Sequence, residues 1–262
     1  MSTILETIIE KKKKEVQELK QAGYELYQNQ DMSSKSLFES LKTADVLQVI
    51  AEIKRASPSK GDIRMEVDPV LQAAKYEEAG ACAISVLTDT PFFKGRMEDL
   101  ADVRRAVSIP ILCKDFIIDE IQIDRARDAG ANVILLIVAA LDPIRLKELY
   151  TYASCLDLEI LVEVHNEDEM KEALDLGATI IGVNNRNLKT FDVDLLITES
   201  LASMVKGREV VLISESGIRD EKDCRRVSDA GAQGVLVGET LMRSEHTEST
   251  LSSLQVKKGV IK

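Results

Sequence analysis

Tryptophan is absent from this chain, and its 262 residues include only two histidines and four cysteines. The cysteines, Cys82, Cys113, Cys155 and Cys224, lie far apart and form no CxxC pair. With His165 and His246 as the only imidazoles, a structural zinc site is not expected, and scattered thiols of this kind suit a reducing, cytoplasmic setting. Long apolar runs are missing too. The longest, Val133 to Leu141, has nine residues, too few to cross a bilayer, and no signal-peptide pattern opens the chain. Positive charge is in the minority: 34 Lys and Arg against 45 Asp and Glu leave a net charge of −11. That balance argues against nucleic-acid partners and favours small ones. The one basic run, Lys11 to Lys14, sits in a Glu-rich helical pattern and is expected to be a solvated helix face.

What is present is a core and a repeat. Hydrophobic residues make up 45% of the chain. Four segments carry the same phrase, a helical pattern ending at Gly-Ala before a β-rich run: "EAGACAISVL", "DAGANVILLI", "DLGATIIGVN" and "DAGAQGVLVG". Their glycines, Gly80, Gly130, Gly177 and Gly231, suit left-handed helix ends and fall at intervals of 50, 47 and 54 residues. Each interval holds two βα units. The intervening runs "VLQVIAEIK", "IPILCKDF", "EILVEV" and "EVVLISES" supply the missing strands. Eight strands are therefore predicted, near 48–54, 81–87, 110–115, 132–138, 159–164, 179–184, 209–215 and 234–238. Strict strand–helix alternation implies parallel strands with right-handed crossovers, and eight units close a (β/α)8 TIM barrel. A doubly wound open sheet is the rival, but the Gly-rich fingerprint usual after its first strand is absent. The chain is read as one barrel domain, 1–262, with residues 1–46 an N-terminal helical extension lying across the barrel.

Alternate strand residues face opposite ways. In "VIAEIK", Glu52 and Lys54 share a face where apolar residues would be ordinary. Lys114 ends the third strand, Glu163 the fifth, Asn184 the sixth and Glu215 the seventh. The C-terminal ends of barrel strands form one face, so two lysines, three glutamates and an asparagine should converge there as candidate acids and bases. "SESGI" (214–218) and "VGETLM" (237–242) follow the last two strands with Gly in phosphate-loop positions. His165, just past Glu163, is read as a loop residue.

Taken together, these motifs resemble indole-3-glycerol phosphate synthases. The resemblance spans the chain through "VIAEIKRASPSKG", "SVLTDTPFFKG", "ILCKDFIID", "ILLIVAAL", "LVEVHN", "IGVNNRNL", "ISESGI" and "VLVGETLM". It implies ring closure, decarboxylation and dehydration of 1-(2-carboxyphenylamino)-1-deoxyribulose 5-phosphate, giving indole-3-glycerol phosphate, with no cofactor and no metal. It also implies roles. Lys54 and Lys114 are the acid candidates, with the division between them open; Glu52 and Glu163 are their partners or bases. Asn184 and Arg186 would orient the anthranilate part, and Glu215 and Ser216 would belong to the reacting site. Ser57, Gly217, Gly238 and the backbone of Glu239 would cradle phosphate, with the Glu239 side chain turned to solvent. Phe92 and Phe116 would pack on the aromatic ring. Glu52, Lys54 and Lys114 are expected to pair with one another, and the "RASPSKGD" loop to move on binding. A phosphorylated small molecule is thus the expected partner, in a monomer or weak homo-oligomer without membrane contact. The alternatives are a phosphoribosylanthranilate isomerase-like barrel, which would need a Cys–Asp pair, and a barrel that only binds a phosphometabolite. Cys113 should face the helices, against the first.

Overall fold

The computed structural model describes residues 3–27 and 36–259. Part of the expected extension, 28–35, lies outside them. Eight parallel strands close a barrel: β1 (Gln48–Ile53), β2 (Ala83–Leu87), β3 (Ile111–Lys114), β4 (Val133–Ile137), β5 (Glu159–Val164), β6 (Ile180–Asn184), β7 (Val211–Glu215) and β8 (Gly234–Val237). Each strand pairs with its sequence neighbour, and β8 returns to β1 through Gln48 opposite Gly234. Closure removes the open-sheet alternative. All four glycines of the repeat have positive φ, between 87° and 119°. Beyond the predicted strands, the loop after β1 contains a small hairpin, Ala56–Ser57 with Gly61–Asp62.

The period-2 alternation builds two apolar layers. Ile50, Leu112, Leu135, Leu161, Ile180 and Ile213 point inward and form one cluster. Val49, Ile84, Cys113, Ile134, Val162 and Leu212 point outward into the layer beneath the helices. Cys113 therefore faces the helices, beside Thr88, and away from the barrel interior.

The helical extension serves both ends of the barrel. Helix α1 (Ile4–Ala22), started by a Thr3–Glu6 capping box, lies over the C-terminal mouth, where Ile4, Leu5 and Ile8 line the cavity. Helix α2 (Leu37–Thr43) plugs the opposite end with the fully buried Leu37 and Leu41. Glu159, at the start of β5, accepts the Leu37 and Phe38 backbone N–H groups and so caps α2. The basic run in α1 departs from expectation at one residue. Lys12 shares a face with Ile8 and Val16 at i±4 spacing and is buried, 2.7 Å from Asp115 and 3.2 Å from Asp89. Lys11, Lys13 and Lys14 are exposed. No helix among the described residues is long and apolar enough to cross a membrane.

Candidate active site

A cavity of about 810 Å³ opens at the C-terminal ends of the strands, a volume suited to a small organic ligand. Its wall holds every site residue expected from the sequence except Phe92. Phe93 takes that place, 6.0 Å centroid to centroid from Phe116. Phe92 and Phe93 lie side by side in the short helix Thr90–Phe93, so their side chains diverge, and Phe92 instead sits under the Lys11 ammonium.

The charges form two groups. In one, Lys54 Nζ lies 2.6 Å from Glu52. In the other, Lys114 Nζ lies 2.5 Å from Glu215 and 3.2 Å from Glu163. The expected joining of Lys114 to the Glu52–Lys54 pair gives way to this separate cluster, because β5 and β7 bring their own carboxylates to Lys114. Glycines make the room. A Cβ on Gly182 would overlap Glu215 Oε1, and one on Gly238 would overlap Glu52 Oε1 and come within 3.0 Å of Lys54 Nζ.

Burial opposes the Lys114 ammonium, but Glu215, Glu163 and Glu52 outweigh it and hold its pKa above the lysine norm. The two flanking carboxylates diverge. Burial pushes Glu215 up to about 7; Lys114 opposes this, and neighbouring Glu163 adds to it. Burial also works against ionised Glu163, yet Lys114, His165 and Asn184 together hold it well below the usual carboxylate range. A carboxyl titrating near neutrality beside one that stays ionised is the electrostatic pattern of an acid–base site.

His165, expected in a loop, follows the end of β5. Its ring nevertheless lies against Glu163, with Nε2 3.3 Å from Oε1. The i,i+2 spacing from Glu163 carries that signal, since the strand's alternation runs on one step past its end. Lys60, Arg219 and the α1 residues were not anticipated either. Among these, only Lys60 falls inside a quoted motif.

The loops after β7 and β8 meet at the other side of the cavity. Ser216 and Gly217 are both left-handed, with φ of 65° and 87°, and Thr240 Oγ1 donates to Ile218 O across the two loops at 2.7 Å. The Glu239 side chain does not turn freely to solvent: it pairs with Lys60 at 3.7 Å and with Arg243 at 3.2 Å. Arg186 lines the wall and donates to Phe191 O.

Comparison with known proteins shows the family. Residues 5–254 match the indole-3-glycerol phosphate synthase family. The chain belongs to that family. Indole-3-glycerol phosphate synthase from Oceanobacillus iheyensis is 53% identical over 254 residues, covering 97% of both chains. That of Bacillus cereus is also 53% identical, covering 98% of this chain and 99% of its own. Among solved structures, thiamine phosphate pyrophosphorylase from Pyrococcus furiosus superposes with a TM-score of 0.59 at 19% identity, covering 79% of this chain and 93% of that one. A mandelate oxidase mutant gives 0.60 at 18%, covering 79% and 71%. These two likenesses concern the fold. The indole-3-glycerol phosphate synthase family comprises carboxy-lyases of tryptophan biosynthesis, and the chain is an enzyme of that class.

Proposed function

We propose that the two charge groups at the barrel mouth divide the proton transfers of the indole-3-glycerol phosphate synthase reaction. The observation that carries this reading is the Lys114 ammonium between Glu163 and Glu215, with no ion pair joining it to the Glu52–Lys54 pair among the described residues. Ring closure needs a proton at the ribulose carbonyl oxygen as the carboxylate-bearing ring carbon attacks it. Lys114 donates that proton, and the two carboxylates hold and recharge it. Loss of carbon dioxide then restores the aromatic ring. Dehydration needs an acid at the departing hydroxyl and a base at the neighbouring carbon, which Lys54 and Glu52 supply from 2.6 Å apart.

The remaining lining residues orient the substrate. Asn184 and Arg186 face the carboxylated ring, Arg186 offering a planar fork to its carboxylate. Phe93 and Phe116 flank the ring, and α1 covers it with Ile4, Leu5 and Ile8. Ser57, Ser216, Gly217, Gly238 and the Glu239 backbone take the phosphate, with Lys60 nearby. The chain acts in the cytoplasm on a free phosphorylated metabolite.

Parallel assays of carbon dioxide release and indole fluorescence test the division. Lys114→Ala should lower both together, by about 10²–10⁴-fold. Lys54→Ala should release carbon dioxide faster than indole appears, as a ring-closed, hydrated intermediate accumulates. Substantial indole from Lys114→Ala, or both signals lost together in Lys54→Ala, would refute it.

A further inference from the structure

The two carboxylates beside Lys114 have unlike surroundings. Glu215 takes the ammonium through Oε2, while its Oε1 is buried over Gly182 with no hydrogen-bond partner among the described residues. Glu163 takes Lys114 through its own Oε2, and its Oε1 faces two further groups: Asn184 Nδ2 at 3.2 Å and His165 Nε2 at 3.3 Å. The excess of partners on Glu163 comes from the end of β6, through Asn184, and from the turn where β5 runs into the helix that follows it, through His165.

His165 is itself held from behind. Its side chain is 12% exposed, and its Nδ1 lies 3.0 Å from Glu169. The Glu169 carboxylate also accepts the His165 backbone N–H at 2.8 Å and the Asn166 side-chain amide at 2.6 Å. Asn166 in turn caps the helix Glu167–Leu176. Each ring nitrogen thus lies within 3.3 Å of a carboxylate oxygen: Nδ1 is in hydrogen-bond geometry with Glu169, while Nε2 makes an ion-pair contact with Glu163 that lacks hydrogen-bond alignment, and the doubly protonated imidazolium is the form whose charge suits both. The ring is not part of the cavity wall, so it reaches the reaction only through Glu163.

We propose that His165 is a positioning residue: as an imidazolium clamped between Glu169 and Glu163, it keeps Glu163 an anion beside Lys114 and leaves Glu215 to carry the exchangeable proton. This rests on the acid–base reading of Lys114, Glu163 and Glu215 given above. The charged groups facing each member are few. Glu163 faces Lys114 and His165; Glu215 faces Lys114, Glu163 and, farther off, Glu52; His165 faces Glu163 and Glu169. Burial alone would neutralise the imidazole, but its two carboxylate partners raise its pKa to about 10, so it is charged throughout the neutral range. Lys114 then always has one anionic neighbour. After its N–H bond breaks to form the substrate O–H, the Glu215 O–H bond breaks to restore the ammonium, and Glu215 takes a new proton from solvent.

The test is the pH dependence of kcat and KM between pH 5 and 9 in the intact enzyme. His165→Gln removes a positive charge from beside the carboxylate pair, so the ionisation near 7 should move up by ~1 pH unit. In the same variant kcat should fall about tenfold, with KM little changed, because part of the proton now rests on Glu163. His165→Asn, which also removes the positive charge, should shift the ionisation in the same direction, and it decides the matter if His165→Gln fails to fold. In a Glu163→Gln background, adding His165→Gln should change the residual rate by less than about twofold, since both act through one carboxylate. A His165→Gln profile superimposable on the wild type, or losses that multiply in the double variant, overturns the proposal. Lys114→Ala separates the two levels. If it turns over within about tenfold of the wild type, the underlying site reading fails; if its rate falls by about 10²-fold or more while His165→Gln keeps the wild-type profile, only the role of His165 falls.

Discussion

At the N-terminal end of the barrel, Leu37 and Leu41 enter between the strand starts and are fully buried. At the other end, the same width of barrel holds Glu52, Lys54, Lys114, Glu163 and Glu215. Both ends depend on a glycine that makes space. Gly234 leaves room for Leu41, whose Cδ2 would stand 2.5 Å from a Cβ there, and Gly182 leaves room for the Glu215 carboxylate. The difference lies in what fills the space. Burying a leucine stabilises by about 1.5–3 kcal/mol, whereas a buried ion pair roughly balances its desolvation. Stability is therefore concentrated at the plugged end and chemistry at the charged end. The helical extension supplies the plug through α2 and part of the cavity wall through α1.

Substitutions that act on one end alone can break or sharpen this contrast. The largest effect is expected from Lys114→Ala, a loss of about 10²–10⁴-fold in turnover, read by indole fluorescence. Leu41→Ala should do the reverse, costing about 2–5 kcal/mol of stability with kcat unchanged; urea denaturation alongside the rate assay measures both. The glycines give a matched pair. Gly234→Ala and Gly182→Ala should each destabilise by about 1–3 kcal/mol through overpacking, but only Gly182→Ala, which displaces Glu215, should also remove most activity. Equal activity losses in the two would refute the division of labour.

The smallest effect concerns pH. The Glu215 carboxyl, raised in the fold from its ordinary 4.5 to about 7 by burial, binds its proton more tightly folded than unfolded. Its contribution to stability is full below pH 4.5 and is lost as pH rises through about 7. Denaturation midpoints for wild type should therefore fall more between pH 4.5 and 7.5 than those of Glu215→Gln. Identical slopes in the two proteins would contradict the raised carboxyl.

Much of the charged end was legible from the chain, because strand periodicity is a local property. Glu52, Lys114, Glu163, Asn184 and Glu215 fall on inward phases whatever the rest of the molecule does. The same alternation sent Cys113 outward to the helix layer. The four Gly-Ala phrases likewise marked helix ends, since positive φ is a property of single residues. The same local rules were not enough for Phe92, where a helical turn of one residue decides which ring meets the cavity.

By itself, then, the order of residues determined the strand count, the closed parallel barrel and which side chains point inward, all consequences of short-range periodicity and turn chemistry. Only the tertiary structure decided which charges meet. Lys114 finds Glu215 101 residues away rather than Glu52, Lys12 leaves the solvated face for Asp89 and Asp115, and α2 goes to the opposite end from α1. Those choices depend on distances across a closed barrel, which are set by strand tilt and helix docking rather than by sequence separation. His165 shows both levels at once. Its face follows from a spacing of two, but its charge comes from the two carboxylates that the fold places at its nitrogens.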